Sequence, residues 1–274
     1  MLLDFHTHAF PDSVAPRAMA AMSKNGGALH PALDGTIGAL KASMERNDAR
    51  CVLLPVATNP DKLFSVNRWV LEQASERVIP FGGVHPFARD AVETLDWLTA
   101  HGVRGIKLHP EYQRFDPGDE RLFPFYREIG RRGLITVFHA GCDPAYMPPA
   151  LLRPDVIERI LPYFGGAPVV AAHLGGYLMW DAVARMTPAA NLYLDTAYLH
   201  GRVIRPQMEA IIARFGVGHI LFGSDSPWDD TGSEFGLVES LDLSHEEKQR
   251  ILHQNGESLL GLEQPESGSA VPAR

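Results

Sequence analysis

Leu2–Phe10 reads LLDFHTHAF, an apolar run that ends in two histidines one residue apart, His6 and His8. Side chains alternate along a strand, so residues two apart share a face. Both imidazoles therefore point one way, at the carboxyl end of a segment that should bury aliphatic groups. A polar group buried without a partner costs about 1–3 kcal/mol. Packing alone does not account for the pair.

Seven further short apolar runs follow: RCVLLPVAT from Arg50, VIPFGGVHP from Val78, VRGIKLHP from Val103, LITVFHAG from Leu134, VVAAHLGG from Val169, NLYLDTAY from Asn191 and HILFGSDSPW from His219. Each is bounded by Gly or Pro, as buried strands are. Segments with helical spacing of apolar residues separate them, among them DKLFSVNRWVLEQASE, DERLFPFYREIGRRG and YLMWDAVARM. Ser244 with Glu247 predicts a capping box, and Gly102, Gly133 and Gly216 predict helix stops. A βα unit repeated eight times implies a parallel sheet with helical crossovers. Eight units in about 260 residues predict an α/β fold of the closed (β/α)8 TIM barrel type. No GxGxxG follows the first strand and no Walker A sequence occurs, which removes the usual grounds for an open sheet. Residues 1–262 are expected to form a single catalytic barrel domain, and the polar segment 263–274 a disordered tail.

The chain has 274 residues, a net charge of -8 and no block of like charges. That argues against nucleic acid or a membrane surface as partner, since both want a basic patch. No apolar run approaches the roughly 20 residues that span a bilayer. The two cysteines, Cys51 and Cys142, form no CxxC pair and no disulfide framework, so a cytoplasmic location is expected. A small-molecule substrate is the expected partner, and base rates suggest a homodimer.

Of twelve histidines, six (His6, His8, His85, His109, His139 and His173) fall at or beside carboxyl strand ends, where barrel active sites lie. The eighth run adds Asp225, and Lys107 shares the strand face of His109. One divalent cation would satisfy several imidazoles and a carboxylate at once. DFHTH, FHAG, AAHLGG and LFGSDSPW, in this strand order, resemble the amidohydrolase superfamily, in particular the branch containing aminocarboxymuconate-semialdehyde decarboxylase and related metal-dependent hydrolases. The likeness runs from Leu3 to about Leu262.

By that resemblance His6, His8, His139 and Asp225 ligate one divalent metal. Zn²⁺ suits such a donor set, with Mn²⁺ or another first-row ion as the alternative. The implied reaction is attack of a metal-activated water on a small ester, lactone or amide. Asp225 serves as general base and then acid, and His173 stabilises charge on the attacked oxygen. A ligand or substrate-contact role for His173 stays open. Some branches bridge two metals through a carboxylated lysine on strand 4, a role open to Lys107. Lys107, His109, Glu111, His85 and Trp228 are expected to bind substrate, with Tyr112, Phe115 and Tyr177 as an apolar wall. Two other readings remain: a metal-dependent non-oxidative decarboxylase, which needs a cation such as Arg89, Arg114 or Arg202 to orient an acid, and a non-catalytic metal-binding barrel.

Overall fold

The strands appear where the apolar runs predict them. The computed structural model describes residues 1–25, 30–146 and 148–262; the expected tail, 263–274, lies outside these. Among the described residues nine strand segments occur: β1 (Leu2–Thr7), β2 (Ala49–Leu53), β3 (Val78–Pro80), β4 (Gly82–Gly83), β5 (Gly105–Leu108), β6 (Ile135–Phe138), β7 (Val169–Ala171), β8 (Leu192–Asp195) and β9 (Ile220–Leu221). All neighbours pair in parallel, in sequence order. β3 and β4 are one stave bent at Phe81, the first half pairing with β2 and the second with β5. Eight staves result. The ring shuts where Phe5 N–H donates to Phe222 O, Asp225 N–H to His6 O and His8 N–H to Ser226 O. This is a (β/α)8 barrel.

The interior holds Leu3, Phe5, Val52, Phe81, Val137 and Val170, drawn from five staves. Crossover helices such as Ile37–Arg46, Leu63–Glu72 and Phe123–Arg131 pack outside. Glycines make room where the layers touch: a Cβ on Gly82 would lie 2.3 Å from Leu98 on helix Ala91–Ala100. The capping box at Ser244 and Glu247 forms. Gly102, Gly133 and Gly216 take positive φ just past three helix ends, where L residues are strained. The segment YLMWDAVARM departs from expectation, holding only the single turn Trp180–Val183. Leu178 has φ +59° before that turn, and Pro188 follows within a few residues. The closing helical region is π-helical over Arg250–Gln254. There the Ile251 carbonyl accepts from Phe222 N–H at 3.0 Å, tying the region to the end of β9. Among the described residues no helix is long and apolar enough to cross a membrane.

β1 does not alternate throughout. Leu2, Leu3 and Asp4 lie opposite Ala49, Arg50 and Cys51, yet Thr7 lies opposite Leu53. β1 thus spends three steps where β2 spends two. The extra residue is a bulge, a device that re-aims side chains. Leu3 and Phe5 face the interior before it, and His6 and His8 face the interior after it. Asp4 is left outside, bonded to Ser224 N–H at 2.9 Å and to Thr231 Oγ1 at 3.1 Å.

Candidate metal centre

At the carboxyl end of the barrel the strand ends bring together His6, His8 and Asp225. His6 Nε2 lies 3.2 Å from His8 Nε2, and Asp225 Oδ1 lies 3.4 Å from the former and 3.2 Å from the latter. Their other contacts fix the protons. His6 Nδ1 donates to Asp195 Oδ2 at 2.7 Å, and His8 Nδ1 donates to the Leu54 carbonyl at 2.6 Å. Each ring therefore turns a lone pair, not a proton, toward the other and toward the carboxylate. Three proton-free donor atoms facing one another at this range repel; the Lys107 ammonium answers His6 alone, whereas a cation among the three would answer the whole set. Imidazoles oriented by an outer carboxylate or carbonyl are the usual surroundings of a bound metal. The residues present fit a divalent ion.

Electrostatics agree. Burial, reinforced by the nearby Lys107 charge, pushes His6 well below the ordinary imidazole range, so it stays neutral and ligating. Burial pulls the Asp225 carboxyl upward, but the imidazoles of His8, His6 and His173 around it lower it further, to about 2. Lys107 is fully buried beneath the trio, with Nζ 3.0 Å from His6 Nε2. Burial lowers its ammonium to about 8, against the pull of Asp225 and Asp195. It belongs to the floor of the site.

His139 is not within the trio. His173 donates from Nδ1 to the Ala197 carbonyl at 2.9 Å, and its Nε2 stands 3.0 Å from His139 Nδ1. Rings succeed one another from His6 to His173, His139 and His109 at centroid spacings of 5.3, 4.8 and 4.2 Å. His139 groups with His109 and Asp143, and its Nε2 is buried without a hydrogen-bond partner. The four-ligand set read from the sequence is thus divided: three donors converge, and His139 stands across His173 from them. With its Nδ1 proton on the Ala197 carbonyl, His173 turns Nε2 toward His139.

The trio opens into a cavity of about 650 Å³. His109, Lys107, Trp228, Tyr112 and Tyr177 line it as expected, joined by Cys142 and Asp143. Three expected residues do not. His85 is bound on both ring nitrogens, by Gln113 O at 3.0 Å and Phe87 N–H at 3.3 Å. It orders the turn behind the pocket. Glu111 lies buried beside His109, accepting from Leu151 N–H at 2.9 Å; burial raises its carboxyl to about 7. Phe115 joins the outer core. Asp195, which orders His6 and also accepts from His173 N–H and Ala197 N–H, went unrecognised in NLYLDTAY. An acid closing an apolar strand run was the available signal. Asp143, four residues past His139, carried a similar one.

Residues 3–262 match the amidohydrolase family. No protein of curated function matches. Among solved structures, an amidohydrolase II superposes at a TM-score of 0.72 with 19% identity, covering 95% of this chain and 100% of that one. A Pseudomonas putida protein provisionally assigned as a 2-pyrone-4,6-dicarboxylic acid hydrolase does so at 0.69 with 19% identity, covering 96% and 98%. A Polaromonas dihydroxybenzoic acid decarboxylase, solved with manganese and 2-nitroresorcinol, also reaches 0.69, with 15% identity and coverage of 97% and 98%. At these identities the likeness establishes the fold.

Proposed function

The chain belongs to the amidohydrolase family, and from that premise we propose that it is a metal-dependent hydrolase of a small ester, lactone or amide. The observation that carries this reading is the convergence of His6 Nε2, His8 Nε2 and Asp225 Oδ1 with their protons turned away. These three would hold the ion; His139, the fourth donor of the family pattern, stands apart from them across His173. When bound, a divalent ion supplies Lewis acidity that polarises a carbonyl and acidifies water. Zn²⁺ fits the imidazole and carboxylate donors, and Mn²⁺ is the runner-up.

The side chains supply the proton traffic. Asp225, ionised and open to the cavity, takes the proton of the attacking water at its carboxylate and returns it to the leaving group. His173, whose ring lies 5.3 Å from that of His6, would stabilise charge developing on the attacked oxygen. Lys107 holds the floor against His6. His109, Tyr112 and Trp228 border the space where the scissile group would lie.

Non-oxidative decarboxylation is the second reading, favoured by the likeness to decarboxylase structures, the manganese-bound one among them. The arginines considered for the cation it wants are exposed or engaged among the described residues: Arg89 and Arg114 are exposed, and Arg202 is held by Asp229 and the His200 carbonyl. The test is metal analysis of the purified protein, followed by a panel of esters, lactones, amides and aryl carboxylates followed for both hydrolysis and CO₂. About one ion per chain with chelator-sensitive hydrolysis supports the proposal. Stoichiometric CO₂ release from a carboxylate, without hydrolysis of any panel member, replaces it with the second reading.

A further inference from the structure

Away from the histidines the cavity lining is mostly apolar. Above the histidines, one wall comes from Val14, Ala18 and Met22 on and before the helix Ala15–Asn25. The facing wall comes from Val56, Val66 and Trp69, the last two on helix Leu63–Glu72. Among the described residues the lining holds two basic side chains, Lys107 and Lys62. Lys107 is spent on His6 at the floor. Lys62 is exposed at the rim, where water and salt screen its charge. The nearest cationic alternative, Arg202, lies over the Tyr198 ring at 3.5 Å and is paired with Asp229. The remaining charged side chains on the lining, Asp143 and Asp225, are acidic.

From this distribution we infer that the substrate is an uncharged molecule with an apolar acyl or aryl body, and that the site rejects compounds carrying an anionic group away from the reacting centre. The inference rests on the hydrolase reading for the reacting group and deepens it by naming what fills the outer chamber. A carboxylate placed between Val66, Met22 and Trp69 would leave water without a counter-ion, and burying an unpaired charge is strongly unfavourable. An apolar body gains from the same walls, because its methylenes leave water. The structure thus separates this chain from a dicarboxylate hydrolase, for which a second cationic anchor would be required.

The decisive comparison uses matched, non-hydrolysable ketones on the metal-loaded protein: 4-phenyl-2-butanone against 4-(3-oxobutyl)benzoate, binding read by calorimetry. The uncharged ketone should bind at least about tenfold tighter, the unpaired carboxylate being the penalty. In parallel, 4-nitrophenyl hexanoate should be hydrolysed with a kcat/KM at least about tenfold above mono-4-nitrophenyl glutarate. Ala18→Arg, at a half-buried position of the helix Ala15–Asn25, should narrow both ratios with metal content unchanged, and Val66→Arg offers the same test from the other helix. Equal or tighter binding of the carboxylate, or binding of neither ketone, overturns the inference. So do folded, metal-loaded Ala18→Arg and Val66→Arg proteins with unaltered ratios. If the ketone preference holds while no ester, lactone or amide turns over, hydrolysis fails and the specificity stands.

Discussion

At the scale of single residues, the fate of two protons decides what the site can hold. Asp195 Oδ2 receives His6 Nδ1–H, and its Oδ1 receives His173 N–H and Ala197 N–H. In Asp195→Asn the amide oxygen can keep both backbone bonds while its NH₂ faces His6 Nδ1. The imidazole would then flip tautomer and point a proton into the site. Metal affinity should fall about 10–100-fold, the usual cost of losing such a partner, in competition with a chromophoric chelator; an affinity within about twofold of the native one would refute the tautomer argument. Asp4 concerns stability instead. Burial raises its carboxyl from 3.8 to about 7, against hydrogen bonds from Ser224, His6 and Thr231. Below pH 3.8 both folded and unfolded chains hold the proton. Between there and about 7 only the unfolded chain releases it, so Asp4's share of stability is lost as pH rises. Metal-stripped Asp4→Asn should match the native protein near pH 3.5 and exceed it at pH 8 by roughly 2–4 kcal/mol in urea unfolding. A constant offset at both pH values would contradict this assignment.

At the scale of elements, the first strand shows what was legible in the sequence and what was not. The shared direction of His6 and His8 follows from their spacing alone. The bulge does not, because alternation traced back from His6 would turn Asp4 inward and Phe5 outward, the reverse of what is found. A bulge depends on register with β2, which lies some forty residues away in the chain and leaves no local mark. The same limit hid Asp195, whose partner is 189 positions distant, and it credited His85 and Glu111 with pocket roles that backbone N–H and C=O groups elsewhere had claimed. Strand ends and Gly stops were legible because they are local; tertiary hydrogen bonds were not. The bulge also sets up a tight approach. A Cβ on Gly223 would stand 2.9 Å from His6 Cβ. Gly223→Ala should therefore push β1 from the segment after β9, costing about 1–3 kcal/mol as overpacking does and weakening metal binding together with stability. Unchanged thermal unfolding and unchanged metal affinity would show that the seam yields freely.

At the scale of the whole molecule, the donor trio straddles the one place where the ring has to close on itself. His6 and His8 come from the first stave and Asp225 from the last. The regular ladder between those staves is thin: a single isolated bridge, Thr7 to Ser226, and a few backbone bonds. The final helical region adds Asn255 Nδ2 bonds to the Val217 and Ile220 carbonyls at 2.8 and 2.7 Å, but these hold the amino end of the seam and not its mouth. An ion held by the trio would therefore tie the first and last staves at the end where the backbone ties them least. A ligand at a hundredfold its dissociation constant stabilises the folded state by about 2.7 kcal/mol. In a chain of this length that corresponds to a fall in Tm of roughly 5–10 °C on chelation. The seam argument adds a location. In hydrogen exchange, chelation should first expose the amides of Phe5, His8 and Asp225, which cross the closure, while those of β5 through β7 keep their protection. Protection lost evenly around the ring, or first on the β5–β7 side, would mean that the ion stabilises the barrel without closing it.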